Sequence, residues 1–241
     1  MLSFAVGRHL VCLPEAVQAE GIGVNQDRLP LGVVTGPGAG AASGARDRLL
    51  TALAARLGAA GWRLAGAVQI NRESAPGRPH DMDLLVLTGA ARVRISQRLG
   101  AQSQACRLDA GALERAAGLA EAAFDAAPGA LPDLVIVNKF GKQEGEGRGF
   151  VPLIGRALAA GVPVLSAVGA ANRAAFDAFA GGLAEELPAD AEAVAAWCAR
   201  VCGRALPARN APDARPDARP DAAPGDRPET GTPRRAAGAA G

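Results

Sequence analysis

Both lysines of the chain, Lys139 and Lys142, lie in one loop that follows an apolar, β-branched run ending near Val137. The other 24 of the 26 basic residues are arginines, so ordinary surface charge in this chain is carried by Arg. A lysine ammonium is a compact, strongly hydrated point charge, which suits the binding of a phosphate or another oxyanion. The pair therefore predicts an anion-binding loop. The alternative is that two residues of one type lie together by chance.

The charged residues that follow the lysines complete this predicted site. Lys139, Lys142 and Arg148 would clamp the anion, and Glu144 and Glu146 would orient these cations through ion pairs. The alternative is that the Lys142–Glu144 and Arg148–Glu146 pairs are solvated and contribute little. The ligand-binding residues predicted from this loop are Asn138, Lys139, Lys142, Glu144, Glu146 and Arg148.

A glycine-rich turn predicts a second anion-binding element. Residues 31–36 have the pattern of a buried strand, glycines follow, and a helix is expected with Ser43 as its N-cap. In this layout backbone N–H groups and a helix N-terminus face a phosphate. Glycine spacing alone is weak, and a flexible turn of small residues explains it equally well. The predicted contacts are Gly36, Gly38, Gly40, Ser43, Gly44 and Arg46.

A third polar cluster consists of His80, Asp81 and Asp83, before and within a predicted strand. In an extended segment Asp81 and Asp83 point to the same side, where with His80 they could act as acid and base or bind a metal. A solvated loop entering a strand is the favoured interpretation, and no metal site is predicted. Ser96 and Gln97 begin a polar connector and join the ligand-binding candidates.

Composition excludes several classes of partner. The net charge of +2 and an aromatic content of 3% give neither the field nor the stacking surfaces that nucleic acid requires. We expect no nucleic-acid partner and no membrane partner, because no apolar run reaches 18 residues. The N-terminus lacks a signal-peptide pattern. The four cysteines lack the spacing of a disulfide framework, which fits free thiols in a reducing compartment. We therefore expect a cytoplasmic protein.

The order of predicted elements indicates an α/β fold with a mostly parallel sheet, three layers and an antiparallel hairpin near residues 82–96. Residues 1–30 are expected to be an extension, 31–204 the folded domain, and 205–241 a disordered tail. The tail repeats Pro-Asp-Ala-Arg at 212–215 and 216–219. Such a segment could bind a protein partner.

Motifs along the chain resemble two groups of proteins. The element order over residues 31–202 is similar to that of P-loop nucleoside-triphosphatase-like proteins of the small thermophile NTPase type, and Gly-Lys-Gln-Glu at 141–144 fits their Gly-Lys-x-Glu signature. A closer resemblance is to a bacterial domain-of-unknown-function family, which implies a link to molybdenum metabolism or molybdate uptake. Its signatures H-D-M-D-L, I-S-Q-x-L-G, C-R-L-D, N-K-F-G-K-Q-E-x-E-G-R-G-F and F-A-G-G stand at 80–84, 95–100, 106–109, 138–150 and 179–182.

Departures from the P-loop pattern decide which activity the resemblance implies. The phosphate-loop lysine and the Ser/Thr that binds Mg²⁺ are missing, and Asn138 and Lys139 stand where the acidic residues are expected. The leading hypothesis is an accessory or regulatory protein that binds a phosphate-bearing or oxyanion ligand, a nucleotide among them, on a degenerate P-loop scaffold. The alternative is a nucleoside triphosphatase with rearranged residues, in which Glu144 or Asp81 is the catalytic base. No particular cofactor is predicted.

Overall fold

The computed structural model describes residues 30–36, 41–72, 81–97, 107–125 and 131–206, without the side chains of residues 41–43 and 72. The predicted N-terminal extension and tail lie almost entirely outside these ranges. The predicted site residues Gly38, Gly40 and His80 also lie outside the described residues. The proposed domain boundaries and the partner-binding tail therefore stay predictions.

A seven-stranded sheet forms the centre of the fold, in the order β4-β3-β2-β5-β6-β1-β7. Only β3 runs against its neighbours, through antiparallel pairing with β2 and β4. The other pairings are parallel, so β1, β2, β5, β6 and β7 end at the same edge. The strands are β1 Leu31–Val34, β2 Leu64–Arg72, β3 Asp81–Val86, β4 Arg92–Arg94, β5 Leu134–Phe140, β6 Val164–Val168 and β7 Glu185–Leu187.

Helices cover both faces of this sheet. Leucines of α1 and Trp197 of α6 pack with Ile136 on one face, whereas α2, α4 and α5 pack with Val137 on the other. The predicted three-layer, mostly parallel α/β fold with an antiparallel hairpin is therefore confirmed. The helices are α1 Ala41–Ala59, α2 Ala110–Asp125, α3 Lys142–Gly145, α4 Val151–Ala159, α5 Arg173–Ala180 and α6 Ala191–Cys202. In the described part of the chain, none is long and apolar enough to cross a membrane.

Local sequence explains where several elements begin. Asp109 Oδ1 accepts a hydrogen bond from Ala112 N at 2.9 Å, and Asp190 Oδ1 accepts one from Ala193 N at 2.8 Å, so both predicted N-caps are confirmed. Ser43 does not hold the predicted N-cap position, because α1 already begins at Ala41. Asn172 precedes α5 but makes no capping bond, since a 3₁₀ turn leads into that helix.

Two short elements were not predicted. The strand β7 has a charged sequence without apolar alternation, yet it pairs with β1 at the edge of the sheet. Its Glu185 Oε2 accepts a hydrogen bond from the Trp197 indole at 3.2 Å, which ties the edge to α6. The single-turn helix α3 lies inside the predicted anion-binding loop. Tertiary contacts decide such segments, because three or four residues carry no periodicity.

Candidate functional site

Polar side chains at the carboxyl edge of the sheet converge on Asp47 of α1. Asn138 Nδ2 donates to Asp47 Oδ1 at 2.9 Å, and Lys139 Nζ lies 3.0 Å from the same oxygen. Asn71 Nδ2 donates to Asp47 Oδ2 at 3.1 Å, and Gln69 Nε2 donates to Asn71 Oδ1 at 2.7 Å. Asp47 is only 2% exposed. This carboxylate therefore joins the ends of β2 and β5 to α1.

An irregularity in β5 allows two consecutive side chains to reach Asp47. In a regular strand, Asn138 and Lys139 would point to opposite faces of the sheet. The β5–β6 register shifts between Val137 and Phe140, as in a β-bulge. Because of this shift, both side chains can contact the carboxylate.

Arg46, next to Asp47 in sequence, is a buried cation beside a cavity. The residue is 5% exposed, and its NH1 donates only a long hydrogen bond, 3.4 Å, to Gly36 O. Among the residues that the structure describes, no carboxylate pairs with it. A cavity of about 120 Å³, here called the cationic pocket, is lined by Arg46, Lys139, Phe140, Gly141, Ala167, Val168, Gly169 and Asn172. Arg46 and Lys139 carry two positive charges, and Asp47, which is bonded to Lys139, carries one negative charge. The group therefore has one net positive charge beside the pocket.

A second cavity of about 110 Å³, here called the apolar cavity, is also lined by Lys139. Asn138 lines it, and the Oδ1 atom of Asn138 is buried without a hydrogen-bond partner in the described ranges. The remaining lining residues are Gln69, Leu84, Ile95, Leu108, Leu113, Val137, Lys139, Gly141, Lys142, Gln143, Glu144 and Phe150.

Glu144 supports the loop between β5 and α4 instead of orienting a lysine. Its Oε2 accepts a hydrogen bond from Gly141 N at 2.9 Å, and its Oε1 accepts one from Phe150 N at 3.2 Å. The residue is 4% exposed, and burial raises the pKa of its carboxyl above the usual range although both hydrogen bonds oppose this. The predicted Lys142–Glu144 ion pair is therefore wrong, because the carboxylate is turned to backbone N–H groups.

Gly149 passes directly over this carboxylate. Its φ is +60°, and a Cβ at this position would lie 2.2 Å from Glu144 Oε1. Its N–H donates to Glu114 Oε1 at 2.8 Å, which ties the loop to α2. The loop thus needs glycine here for both its backbone conformation and its space.

The three cations of the predicted clamp are separated. Lys139 contacts Asp47, whereas the Lys142 side chain is 80% exposed with its Nζ 3.8 Å from Glu146 Oε1. Arg148 forms an exposed ion pair with Glu146. The Arg148–Glu146 pair thus matches the solvated alternative, and Lys139 alone of the three lines the cationic pocket.

Asp81 and Asp83 share one side of β3, as predicted, and Arg94 of β4 occupies that side. Its Nε lies 2.8 Å from Asp83 Oδ1 and its NH1 lies 2.8 Å from Asp81 Oδ2. Ser96 is buried and its Oγ accepts a hydrogen bond from Met82 N at 3.0 Å, whereas Gln97 is exposed. Within the described ranges, no group of three or more His, Cys, Asp or Glu residues could hold a metal ion.

Asp47, on which the polar side chains converge, was not predicted from the sequence as a site residue. It lies on the same helix face as the buried Leu50, Ala54 and Leu57, at helical spacing. A carboxylate at the spacing of the apolar face of a predicted helix could therefore have indicated a buried, functional Asp47. Gln69 and Asn71, near the carboxyl end of β2, were also not predicted as site residues.

Comparison with known proteins adds one family and one relative. The family model described as "Protein of unknown function (DUF2478)" matches residues 39–197. The "Molybdenum import ATP-binding protein ModC 2" of Bradyrhizobium diazoefficiens, strain USDA 110, is 37% identical over 153 residues, which are 63% of this chain. The chain spans only 16% of the length of that relative. No solved structure matches the chain.

Proposed function

We propose that this chain, which belongs to the DUF2478 family, binds a tetrahedral oxyanion or phosphate group in the cationic pocket, as an accessory or regulatory protein. The observation that carries the proposal is the buried Arg46 guanidinium, which lines a cavity and has no carboxylate partner in the described part of the chain. A buried cation without an opposite charge is costly, and a bound anion would remove that cost.

The surroundings of Arg46 support an anion of this size. Lys139 adds a second cation, and the backbone of Gly141 and Gly169 lines the wall without bulky side chains. The 19-residue helix α1 begins at the same edge of the sheet, and the positive end of its dipole favours negative charge. A volume of about 120 Å³ equals the liquid share of about four waters, which leaves room for a tetrahedral oxyanion.

Binding without hydrolysis is favoured because the carboxylates that could act as bases or bind Mg²⁺ already have partners within the protein. Asp47 accepts hydrogen bonds from two amides and Lys139, and the two candidate bases, Glu144 and Asp81, bond to backbone N–H groups and to Arg94. In the P-loop proteins that the sequence resembles, carboxylates at this edge bind Mg²⁺ and activate water. Here Asp47, Glu144 and Asp81 are instead bonded to groups within the protein.

The similarity to the molybdenum import protein supports a further part of the proposal, a role in molybdenum metabolism. That protein is named for molybdenum import and for ATP binding, so molybdate and ATP are the first ligands to test. Both present a tetrahedral anionic group to the pocket.

Calorimetric titration of the full chain tests the proposal. Molybdate, tungstate, sulfate, phosphate and ATP are each titrated with and without Mg²⁺. We expect at least one anion to bind without Mg²⁺, and Arg46→Gln to weaken that binding at least tenfold. Arg48→Gln is the matched control, because Arg48 is an exposed arginine of the same helix.

Two outcomes would overturn the proposal. Unchanged anion affinity in a folded Arg46→Gln protein would show that the guanidinium does not contact the ligand. Nucleotide binding that requires Mg²⁺, with release of phosphate, would replace the binding role by the triphosphatase alternative.

A further inference from the structure

The lining of the cationic pocket provides hydrogen-bond donors and, among the residues that the structure describes, no carboxylate. Arg46 and Lys139 can only donate, because neither a guanidinium nor an ammonium has an acceptor atom. Within the described ranges, Arg46 makes one long hydrogen bond, 3.4 Å, to Gly36 O, so most of its N–H groups are available to a ligand. These two side chains therefore suit a ligand whose oxygens only accept hydrogen bonds.

Asp47 does not supply an acceptor to the pocket. It contacts Lys139, but it is not among the residues that line the cavity. Its two oxygens already accept hydrogen bonds from Asn71, Asn138 and Lys139. Residues 37–40, between β1 and α1, lie outside the described ranges, and their sequence, Pro-Gly-Ala-Gly, contains no acidic residue. A ligand O–H group therefore finds no carboxylate in the described lining to accept its hydrogen bond.

Asn172 is the one described lining residue whose side chain has both donor and acceptor atoms. It stands in the 3₁₀ turn before α5, where its side chain makes no capping hydrogen bond. Its NH₂ group can donate to an oxyanion. Its carbonyl is a weaker acceptor than a carboxylate, because hydrogen bonds to an ionised group are about twice as strong as those between neutral groups. An amide at this position thus favours an anion that needs donors only.

We infer that the cationic pocket selects tetrahedral dianions that carry no proton, such as sulfate, molybdate and tungstate, over hydrogen phosphate, and that Asn172 sets this selection. The inference rests on the proposed function and narrows its ligand. Each oxygen of a fully deprotonated anion can accept a hydrogen bond from Arg46, Lys139 or Asn172. Hydrogen phosphate has the same charge and a similar shape, but its O–H group is left without a strong acceptor.

Sulfate, hydrogen phosphate and fluorophosphate separate the effect of the proton from those of charge and shape. Slightly above neutral pH all three are tetrahedral dianions, and fluorophosphate has fluorine in place of the O–H group of hydrogen phosphate. In calorimetric titrations of the full chain, we expect sulfate and fluorophosphate to bind at least about tenfold more tightly than phosphate, a typical effect of one unpaired polar group. Equal affinities for fluorophosphate and phosphate would overturn the inference, whatever the affinity for sulfate.

The Asn172→Asp substitution tests the residue, because it replaces the amide with a carboxylate of the same shape that accepts a hydrogen bond from a ligand O–H group. We expect the ratio of sulfate affinity to phosphate affinity to fall at least about tenfold. Ala171→Asp is the matched control, since Ala171 lies in the same turn, is exposed and is not among the described lining residues. Its added charge should weaken the binding of both dianions by a similar factor and leave the ratio unchanged.

The outcomes separate this inference from the proposed function. An unchanged ratio in a folded Asn172→Asp protein, or an equal fall in Ala171→Asp, would overturn the role of Asn172. If phosphate binds as tightly as sulfate and fluorophosphate, and Arg46→Gln weakens all three, the pocket binds anions without this selection and only the inference fails. If no anion binds, the proposed function fails and the inference fails with it.

Discussion

The Lys139 ammonium lies 3.0 Å from Oδ1 of Asp47, a residue 92 positions earlier in the chain. The strand end thus supplies the cation and the helix supplies the carboxylate. In the P-loop proteins that the sequence resembles, the lysine belongs to the phosphate loop before the helix and the acid to the strand. The two charges are exchanged here, so the carboxylate is bonded within the protein and the cations border the cavity.

Loss of the Lys139 charge should lower stability more than loss of the Lys142 charge. Lys139→Met leaves the buried Asp47 without its cation, and we expect a loss of about 1–3 kcal/mol in the free energy of unfolding. Lys142→Met should change it by less than about 0.5 kcal/mol, because that side chain is 80% exposed. Urea denaturation measures both values. Equal losses would mean that the Asp47–Lys139 pair is not a stabilising contact.

Removal of the Asp47 charge should strengthen anion binding. Asp47→Asn takes away the carboxylate that opposes Arg46 and Lys139, and we expect the affinity for the bound anion to rise about three- to tenfold at low ionic strength. The gain should shrink in 500 mM salt (about a 4 Å Debye length). Asp125→Asn, at the far end of α2, is the control and should change nothing. Weaker binding in a folded Asp47→Asn protein would contradict the electrostatic account.

Alanine should be tolerated at Gly147 and not at Gly149. Both glycines have positive φ, +77° and +60°, so each substitution carries about 1 kcal/mol of backbone strain. Only at Gly149 would the new Cβ meet the Glu144 carboxylate, which must then move and lose its bond to Phe150 N. We expect Gly149→Ala to cost about 2–4 kcal/mol in unfolding free energy. Thermal and urea unfolding of the two variants compare the costs, and similar values would argue against a rigid Glu144 contact.

The raised pKa of Glu144 predicts a pH dependence of stability. In the unfolded chain this carboxyl titrates near its ordinary value, about 4.3. Between that pH and the raised pKa, the folded state holds a proton that the unfolded state has lost, so the contribution of Glu144 to stability falls as the pH rises. The difference in unfolding free energy between the unaltered protein and Glu144→Gln should therefore decrease from pH 4 toward neutral pH.

Glu144→Gln isolates this effect from the other carboxyl groups, which titrate in both proteins. The variant should also lose about 1–3 kcal/mol at pH 7, because its amide group would face a backbone N–H. Unfolding free energies from urea titrations at half-unit pH steps give the difference directly. A difference that is constant or grows with pH would contradict a raised pKa.

Local patterns were sufficient to predict most of the fold. The apolar run before Asn138 predicts the buried central strand, and Asp109 and Asp190 predict helix starts because a cap needs only the next three residues. The role of Glu144 could not be predicted in this way. Its partner Phe150 lies beyond the single turn of α3, and the path of the chain between them depends on the positive φ of Gly149.

The sequence by itself determined that Asn138 and Lys139 follow a buried parallel strand, at the edge where open α/β sheets bind ligands. Only the tertiary structure decided that Asp47 bonds to both and that Arg46 is buried beside the cationic pocket. The reason is physical: period and capping act over a few residues, whereas the partner of a buried charge is chosen by strand order and by how a helix packs on the sheet. Asp47 meets Lys139 because α1 covers β5, and no local pattern in either segment contains that information.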